Sequence, residues 1–268
     1  MEAGRARMRP VLTLENVTKE FRTYHRYHAG LKALVLDPRQ IMRHRERDTF
    51  LAINKVSFAV REGETFGILG RNGAGKSTLL ALIAGVLRPT SGRISVQGHI
   101  SPLLELGIGF TLELTGVENI LINGVLLGLR RKQIEAKLDD IIDFSGLSSF
   151  IDQPLKTYSS GMLGRLGFAI AIHAQPDILL VDEVLAVGDA EFQEKCSARI
   201  MDLQKAGVTI VLVSHNLYTV ETICDRALWI DKGGIVTLGS PQEVVARYQS
   251  EIDHLLATPE STSASVSV

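Results

Sequence analysis

Glycines, a lysine and hydroxyl residues in GRNGAGKST, residues 70–78, have the spacing of a loop that binds a nucleoside triphosphate. A short apolar run, TFGILG, precedes the loop as a predicted buried strand, and a predicted helix follows from Lys76 to about Val86. Glycine allows backbone N–H groups to surround phosphate oxygens, because no Cβ stands in the way. We expect Lys76 to bridge the β- and γ-phosphates and Ser77 to bind Mg²⁺. The residues expected to bind ATP here are Gly70, Arg71, Asn72, Gly73, Ala74, Gly75, Lys76, Ser77 and Thr78.

Two carboxylates end a second apolar run, ILLVDE, residues 178–183. If this run is a buried strand beside the loop, Asp182 is placed to hold Mg²⁺ directly or through water. Glu183 points to the opposite side of the strand, since side chains alternate with a period of two. We expect Glu183 to act as the general base toward an attacking water. The pattern therefore favours hydrolysis over nucleotide binding alone.

A third apolar run, VLVSHN, ends at His215. A single histidine is most often a structural residue of the core or the surface. This one follows a strand predicted to lie in the same sheet, so it is placed to donate a hydrogen bond to the γ-phosphate. We take that position to favour a catalytic role for His215.

The stretch TYSSGMLGRLGFAIA, residues 157–171, is a small polar turn that opens an apolar helix. The first N–H groups of a helix have no partner within the helix and carry a partial positive charge. Such a helix start is suited to holding an anion. The sequence thus contains a second candidate phosphate site, far along the chain from the first.

Strands alternate with helices on both sides of a helical middle, and this order predicts an α/β fold with a mostly parallel sheet. Alternating residues at 11–21 indicate an additional β part near the N-terminus. The helical stretch, about residues 106–174, is predicted to be an insertion on the core. We expect one domain over residues 1–254 and a disordered polar tail over 255–268.

Residues 22–50 form a segment rich in arginine, lysine and histidine between two predicted strands. One interpretation is a solvated surface loop. The other is contact with anionic headgroups or a lipid pyrophosphate at a membrane surface, where each basic residue contributes about 1 kcal/mol.

Composition excludes several classes of protein. The net charge of −1 over 268 residues gives no general attraction to nucleic acid, and we expect no nucleic-acid partner. The 2 cysteines do not form a disulfide scaffold and suit a reducing compartment. No signal-peptide pattern and no apolar run long enough to span a bilayer are present, so we expect a cytosolic protein.

Together these elements resemble the nucleotide-binding subunits of ATP-binding cassette (ABC) transporters over about residues 11–240. YSSGM, residues 158–162, is similar to the signature loop of that family, usually written LSGGQ; Ser159 and Gly161 match it, while Tyr158, Ser160 and Met162 differ. The resemblance implies a P-loop ATPase core and a homodimer with two ATP molecules. Each ATP would lie between one subunit's phosphate loop and the other's signature turn, formed by Tyr158, Ser159, Ser160 and Gly161.

The resemblance assigns three further positions. VLAVGDA, residues 184–190, matches the family's D-loop, in which Asp189 would contact the second subunit. Glu105 stands nearest to the family's Q-loop glutamine and would be a further Mg²⁺ ligand. An aromatic residue at the end of the first strand would stack on adenine, which points to Phe21, with Tyr24 as the rival; Phe21 could equally belong to the core.

Three features resemble the ABC ATPases that export lipid-linked polysaccharides such as O-antigen, teichoic acid or capsule. The first is the basic segment. The second is the sequence of residues 103–124, where the family contacts its membrane partner. The third is the sequence EVLAVGDAEFQEKC, residues 183–196, at the end of the acidic strand. This implies two integral-membrane permease subunits as partners, which handle the lipid-linked polysaccharide, and a peripheral position on the cytoplasmic side of the inner membrane. The alternatives are an exporter of another cargo, such as a lipid or a drug, and a soluble ABC ATPase acting on ribosomes or DNA.

Overall fold

The structure is a computed structural model that describes residues 9–23, 48–103, 107, 109–182 and 188–257. Three predicted functional residues, Glu105, Glu183 and the rival aromatic Tyr24, lie outside the described residues. Most of the predicted basic insertion also lies outside them.

The N-terminal β part is a three-stranded antiparallel sheet in the order β2-β1-β4. Its strands are β1 (Pro10–Thr23), β2 (Asp48–Arg61) and β4 (Ser91–Val96). The predicted additional β part is therefore confirmed. The two long strands extend into the segment predicted as the basic insertion, so the bounds 22–50 were too wide. Residues 22–23 and 48–50 are paired strand residues, because β1 and β2 remain hydrogen-bonded up to Thr23 and Asp48.

The second sheet has six strands in the order β5-β6-β7-β3-β8-β9. It is mostly parallel, as the alternation of strands and helices predicted. The six strands are β3 (Thr65–Leu69), β5 (Ile100–Leu103), β6 (Ile178–Val181), β7 (Thr209–Val213), β8 (Arg226–Asp231) and β9 (Gly234–Gly239). All neighbouring pairs are parallel except β8 with β9.

The sheet ends in an antiparallel hairpin of β8 and β9, which the predicted alternation of strands and helices did not include. Lys232 and Gly233 join the two strands with φ of 45° and 76°. A two-residue turn with both φ values positive matches the right-handed twist of the strands, so the chain reverses at once.

Eight α-helices are described. They are α1 (Lys76–Ile83), α2 (Gly116–Leu126), α3 (Arg131–Glu135), α4 (Leu138–Ser145), α5 (Ser160–His173), α6 (Ala190–Lys205), α7 (Leu217–Ile223) and α8 (Pro241–Ala257). None of these described helices is long and apolar enough to cross a membrane.

Two helix boundaries differ from the prediction. Helix α1 ends three residues early, because Gly85 adopts φ +74° just after the last turn and stops the helix. Within the predicted helical stretch, α3 and α4 are two separate helices. Lys137 lies between them and donates its Nζ to the carbonyl oxygen of His173 at 2.9 Å. Helix α8 continues to Ala257, beyond the predicted boundary at residue 254.

The six-stranded sheet is buried on both faces. In β6, Ile178 and Leu180 pack into a core shared with α1 and the antiparallel sheet. Their neighbours Leu179 and Val181 face a second core, formed with α5 and α6. Because both faces are covered, polar side chains that follow the parallel strands collect at the carboxyl edge of the sheet.

Candidate functional site

The phosphate loop leaves the carboxyl end of β3 and approaches neighbouring backbone closely. A Cβ built on Gly70 would lie 2.4 Å from the carbonyl oxygen of Ile230. One built on Gly75, at φ +105°, would lie 2.6 Å from the carbonyl oxygen of Ala52. Side chains at these two positions would collide with backbone, so the loop requires glycine there.

The ammonium group of Lys76 is held over the loop by the loop's own backbone. Its Nζ donates to the carbonyl oxygen of Gly70 at 2.7 Å and to that of Arg71 at 3.2 Å. The residue is 8% exposed. Helix α1 begins here without a side-chain cap and without an acidic residue in its first turn. A buried cation beside an uncapped helix start favours a bound anion.

Ser77 and Asp182 line one pocket of about 480 Å³ together with the loop. Asp182 reaches it because β6 runs parallel to β3 with only β7 between them. Among the described residues no three His, Cys, Asp or Glu side chains cluster as a metal cage. One hydroxyl and one carboxylate suit Mg²⁺, which keeps several waters and takes its other ligands from phosphate oxygens. These residues therefore fit a Mg²⁺–triphosphate.

Phe50 lines the same pocket, and the sequence did not single it out. It lies opposite Phe21 in the β1–β2 register, and Phe50 and Phe21 are 55% and 36% exposed as whole residues. Paired residues of an antiparallel ladder share one face, so both rings belong to one exposed aromatic surface at the hairpin's end. Lys19 Nζ lies 5.1 Å from the Phe21 ring centroid. The pairing was not recoverable from the sequence, because 28 positions separate the two residues along the chain.

His215 lies at the same edge of the sheet, as predicted. Strand β7 pairs directly with β3, and His215 lines a pocket of about 560 Å³ with residues 70–74 of the phosphate loop. Tyr248 and Ile252 of α8 line its other side, a contribution that was not predicted. The hydrogen bond from His215 to a phosphate remains a prediction.

The serine turn is built as a helix start. Ser159 is the N-cap of α5, and its hydroxyl oxygen accepts a hydrogen bond from the N–H of Met162 at 3.2 Å. Ser160 is exposed at the first helical position. A Cβ on Gly161 would meet only the Ser159 hydroxyl oxygen, at 3.9 Å, so the backbone here is open.

Tyr158, predicted as a nucleotide contact, has its side chain in the core of the helical region. It is buried, and its hydroxyl donates to the carbonyl oxygen of Phe150 at 2.7 Å. Burial raises the pKa of this phenol. If Tyr158 contacts a nucleotide, the contact therefore involves its backbone and not its side chain.

Asp189 and the serine turn line a third pocket, of about 550 Å³. This pocket shares no lining residue with the phosphate-loop pocket. Within one chain Ser159, Gly161 and Asp189 thus line one pocket together, and this pocket is distinct from that of the phosphate loop. Glu183 and Glu105 lie outside the described residues, and their roles remain predictions.

Neither cysteine is suited to thiolate chemistry near neutral pH. Burial raises the pKa of the Cys196 and Cys224 thiols to about 12. At pH 7 such thiols are almost wholly protonated, and it is the thiolate that reacts as the nucleophile.

The family model described as "ABC transporter" matches residues 53–186. An O-antigen export system ATP-binding protein, RfbB, from Klebsiella pneumoniae is 48% identical over 242 residues, 90% of this chain and 98% of that protein. A teichoic acids export ATP-binding protein, TagH, from Lactiplantibacillus plantarum is 43% identical over 236 residues, 88% of this chain and 63% of that protein.

Two solved structures share the fold at lower identity. An ATP-binding subunit of an ABC transporter superposes with a TM-score of 0.71 at 21% identity, over 92% of this chain and all of that one. An ATP-binding cassette dimer, bound to ADP and Pi, gives a TM-score of 0.67 at 19% identity, over 86% of this chain and 98% of that one.

Proposed function

The chain belongs to the ABC transporter family, and from that premise we propose that it is the ATP-hydrolysing subunit of an exporter for a lipid-linked polysaccharide. The cargo class is O-antigen, teichoic acid or a similar glycan. The observation that carries this proposal is the 48% identity to an O-antigen export ATP-binding protein over 98% of that protein's length. A relative named for teichoic acids export follows at 43% identity.

ATP would occupy the pocket at the phosphate loop. Backbone N–H groups of the loop and the Lys76 ammonium bind the β- and γ-phosphates, while Ser77 and Asp182 hold the Mg²⁺. When bound, that ion neutralises negative charge on the phosphates. The exposed ring of Phe50, with Phe21 opposite it, offers an aromatic face for adenine.

Hydrolysis would depend on residues that follow β6 and β7. Glu183 directly follows Asp182 in the chain and accepts a proton from the attacking water. His215, beside the phosphate loop, donates a hydrogen bond to the γ-phosphate.

A second copy of the chain would complete each site. The separation of the phosphate-loop pocket from the pocket of Ser159, Gly161 and Asp189 supports this, because each copy then offers one half and lacks the other. Such mutual pairing closes under a two-fold axis. The solved cassette bound to ADP and Pi, which has the same fold, is dimeric.

Contact with the permease subunits would involve the exposed face of α2. Ile122, Val125 and Leu126 lie at positions i, i+3 and i+4, so they form one apolar stripe. Closure of the ATPase dimer on ATP binding would move two permease subunits that contact this stripe. Hydrolysis of ATP would then reopen the dimer. The chain would then sit peripherally on the cytoplasmic side of the membrane.

Affinity isolation of the Glu183→Gln variant tests the proposal. The tagged variant is purified from detergent-solubilised native membranes with ATP and Mg²⁺ present, and its companions are identified by mass spectrometry. We expect a polytopic membrane protein together with a polyprenyl-linked glycan. A Lys76→Ala variant, which should not bind ATP, is the control that shows whether capture depends on the nucleotide.

Other outcomes would redirect the proposal. If a polytopic protein is recovered with a different lipid or a drug-like molecule, the chain is still an exporter subunit, but its cargo is not a polysaccharide. Recovery with ribosomes or nucleic acid, and without a membrane protein, would contradict the transport function.

A further inference from the structure

Arg165 joins the helix that follows the serine turn to the turn that holds Asp189. Its Nη2 lies 2.5 Å from Asp189 Oδ2, and the two side chains are 26% and 61% exposed. A Cβ on Gly188 would lie 3.1 Å from Arg165 Nε, so the arginine also packs against the backbone of that turn.

Both oxygens of the Asp189 carboxylate are engaged. While Oδ2 accepts from Arg165, Oδ1 accepts from the N–H of Phe192 at 3.0 Å and caps α6. The aspartate is therefore oriented from two sides. Removing the arginine would leave one oxygen to water and free the side chain to rotate about the remaining bond.

The arginine also rests on a buried aromatic cluster. Its guanidinium lies 5.2 Å from the Phe192 ring centroid. Phe192 in turn packs edge-on against Phe144 and Phe168, with centroid distances of 5.7 Å and 6.1 Å. A planar guanidinium on an aromatic face, anchored at one edge by a carboxylate, has little freedom to move.

Charge in the pocket depends on this pair. Among the described residues that line the pocket of Ser159 and Gly161, only Arg165 and Asp189 are charged. An unpaired carboxylate there would repel an arriving phosphate, whereas the paired one is neutralised.

We propose that Arg165 is a positioning residue that holds Asp189 and the serine turn as one rigid unit for contact with the second copy and its γ-phosphate. The inference rests on the proposed dimeric ATPase. It predicts that Arg165 acts on turnover through Asp189, and that binding of ATP to the phosphate loop of the same chain does not depend on it.

Lys195 provides a matched control from the same aromatic cluster. Its Nζ lies 4.5 Å from the Phe144 ring centroid and donates to the carbonyl oxygen of Phe144 at 2.9 Å, at the end of α4. It joins α6 to α4, whereas Arg165 joins α5 to the turn before α6, and both cations pack on the same aromatic cluster. A loss that came from packing alone would therefore appear in Lys195→Ala as well.

The experiment is a double-mutant cycle on ATP turnover with Arg165→Ala, Asp189→Ala and the double variant, alongside Arg165→Lys and Lys195→Ala. Turnover is measured over a range of protein concentrations, and the Kd of a fluorescent ATP analogue is measured in dilute protein. We expect Arg165→Ala to lower kcat about tenfold with an unchanged Kd. The double variant should be no slower than Asp189→Ala, and Arg165→Lys should recover part of the loss because it keeps the charge.

Two results would overturn the inference. Independent losses that multiply in the double variant would show that Arg165 does not act through Asp189. An equal loss of kcat in Lys195→Ala would reduce the arginine to a packing role. A wild-type chain without ATPase activity is a different result, because it would overturn the proposed function itself and this inference with it.

Discussion

Phe50 shows how a single exposed ring bears on nucleotide affinity. It lines the phosphate-loop pocket, whereas Phe21, the residue predicted for adenine stacking, lies opposite it on β1. Stacking of a base on an aromatic ring contributes about 1–3 kcal/mol. We therefore expect Phe50→Ala to raise the Kd for ATP about tenfold. Equilibrium titration with a fluorescent ATP analogue measures this change.

Phe21→Ala is the matched control, and we expect a smaller increase of Kd for this variant. Phe50→Tyr keeps the ring and should bind ATP like the wild type. If Phe21→Ala weakens ATP binding while Phe50→Ala does not, then Phe21 stacks on adenine as the sequence predicted, and Phe50 does not, although it lines the pocket.

At the scale of the element, Asn119 ties α2 to the loop before it. The amide is fully buried, and its Oδ1 accepts from the N–H of Thr111 at 2.8 Å. Its Nδ2 donates to the carbonyl oxygens of Thr111, Leu114 and Thr115. Truncating one partner leaves buried backbone groups unpaired, so we expect Asn119→Ala to lower the free energy of unfolding by about 2 kcal/mol. Chemical denaturation measures it.

Asn123 is the control on the same helix. It is buried too, but within the described part of the chain its side chain makes one hydrogen bond, from Nδ2 to the carbonyl oxygen of Asn119 at 3.0 Å. Asn123→Ala should lower the free energy of unfolding by less than Asn119→Ala does. Equal losses would mean that the loop does not depend on the Asn119 amide.

Helix α5 ends at His173, which makes the helical region sensitive to acid. Burial lowers the pKa of this imidazole, although its contact with the carbonyl oxygen of Ala169 acts in the opposite direction. Because the unfolded chain then binds the proton more readily, the native state is favoured above about pH 6.5 and loses that advantage as the pH falls. We expect His173→Gln to show a smaller loss of unfolding free energy between pH 7 and pH 5. An unchanged slope would contradict this.

At the scale of the whole molecule, attachment to a membrane partner should be separable from ATP hydrolysis. The apolar stripe of α2 contributes no residue to the pockets that hold the phosphate loop and the serine turn. We expect a Val125→Glu, Leu126→Glu double variant to lose co-purification with the permease while its soluble ATPase activity stays unchanged, since charge there is costly to bury at an interface. Membrane pull-down and phosphate release measure the two properties.

Met201→Glu is the control for that variant, because Met201 is an exposed apolar residue on a different helix, α6. It should leave both properties intact. Unchanged pull-down in the α2 double variant would place the permease contact elsewhere on the chain.

The sequence by itself determined the phosphate loop, Lys76, Ser77 and the placement of Asp182 and His215. Each belongs to a short contiguous pattern, in which a buried strand is followed at once by its polar residue. Parallel strands bring their carboxyl ends to one edge, so the grouping follows from strand type alone. Alternating strands and helices likewise predicted the α/β sheet that the structure has.

Only the tertiary structure decided which distant residues meet. Phe50 faces the pocket because of the β1–β2 register, and Arg165 reaches Asp189 because α5 packs beside α6. It also withdrew the Tyr158 side chain into the core and reversed β9 at a two-residue turn. The physical reason is that local patterns encode backbone conformation, whereas contacts between remote residues depend on strand register and helix packing, which no short stretch of sequence contains.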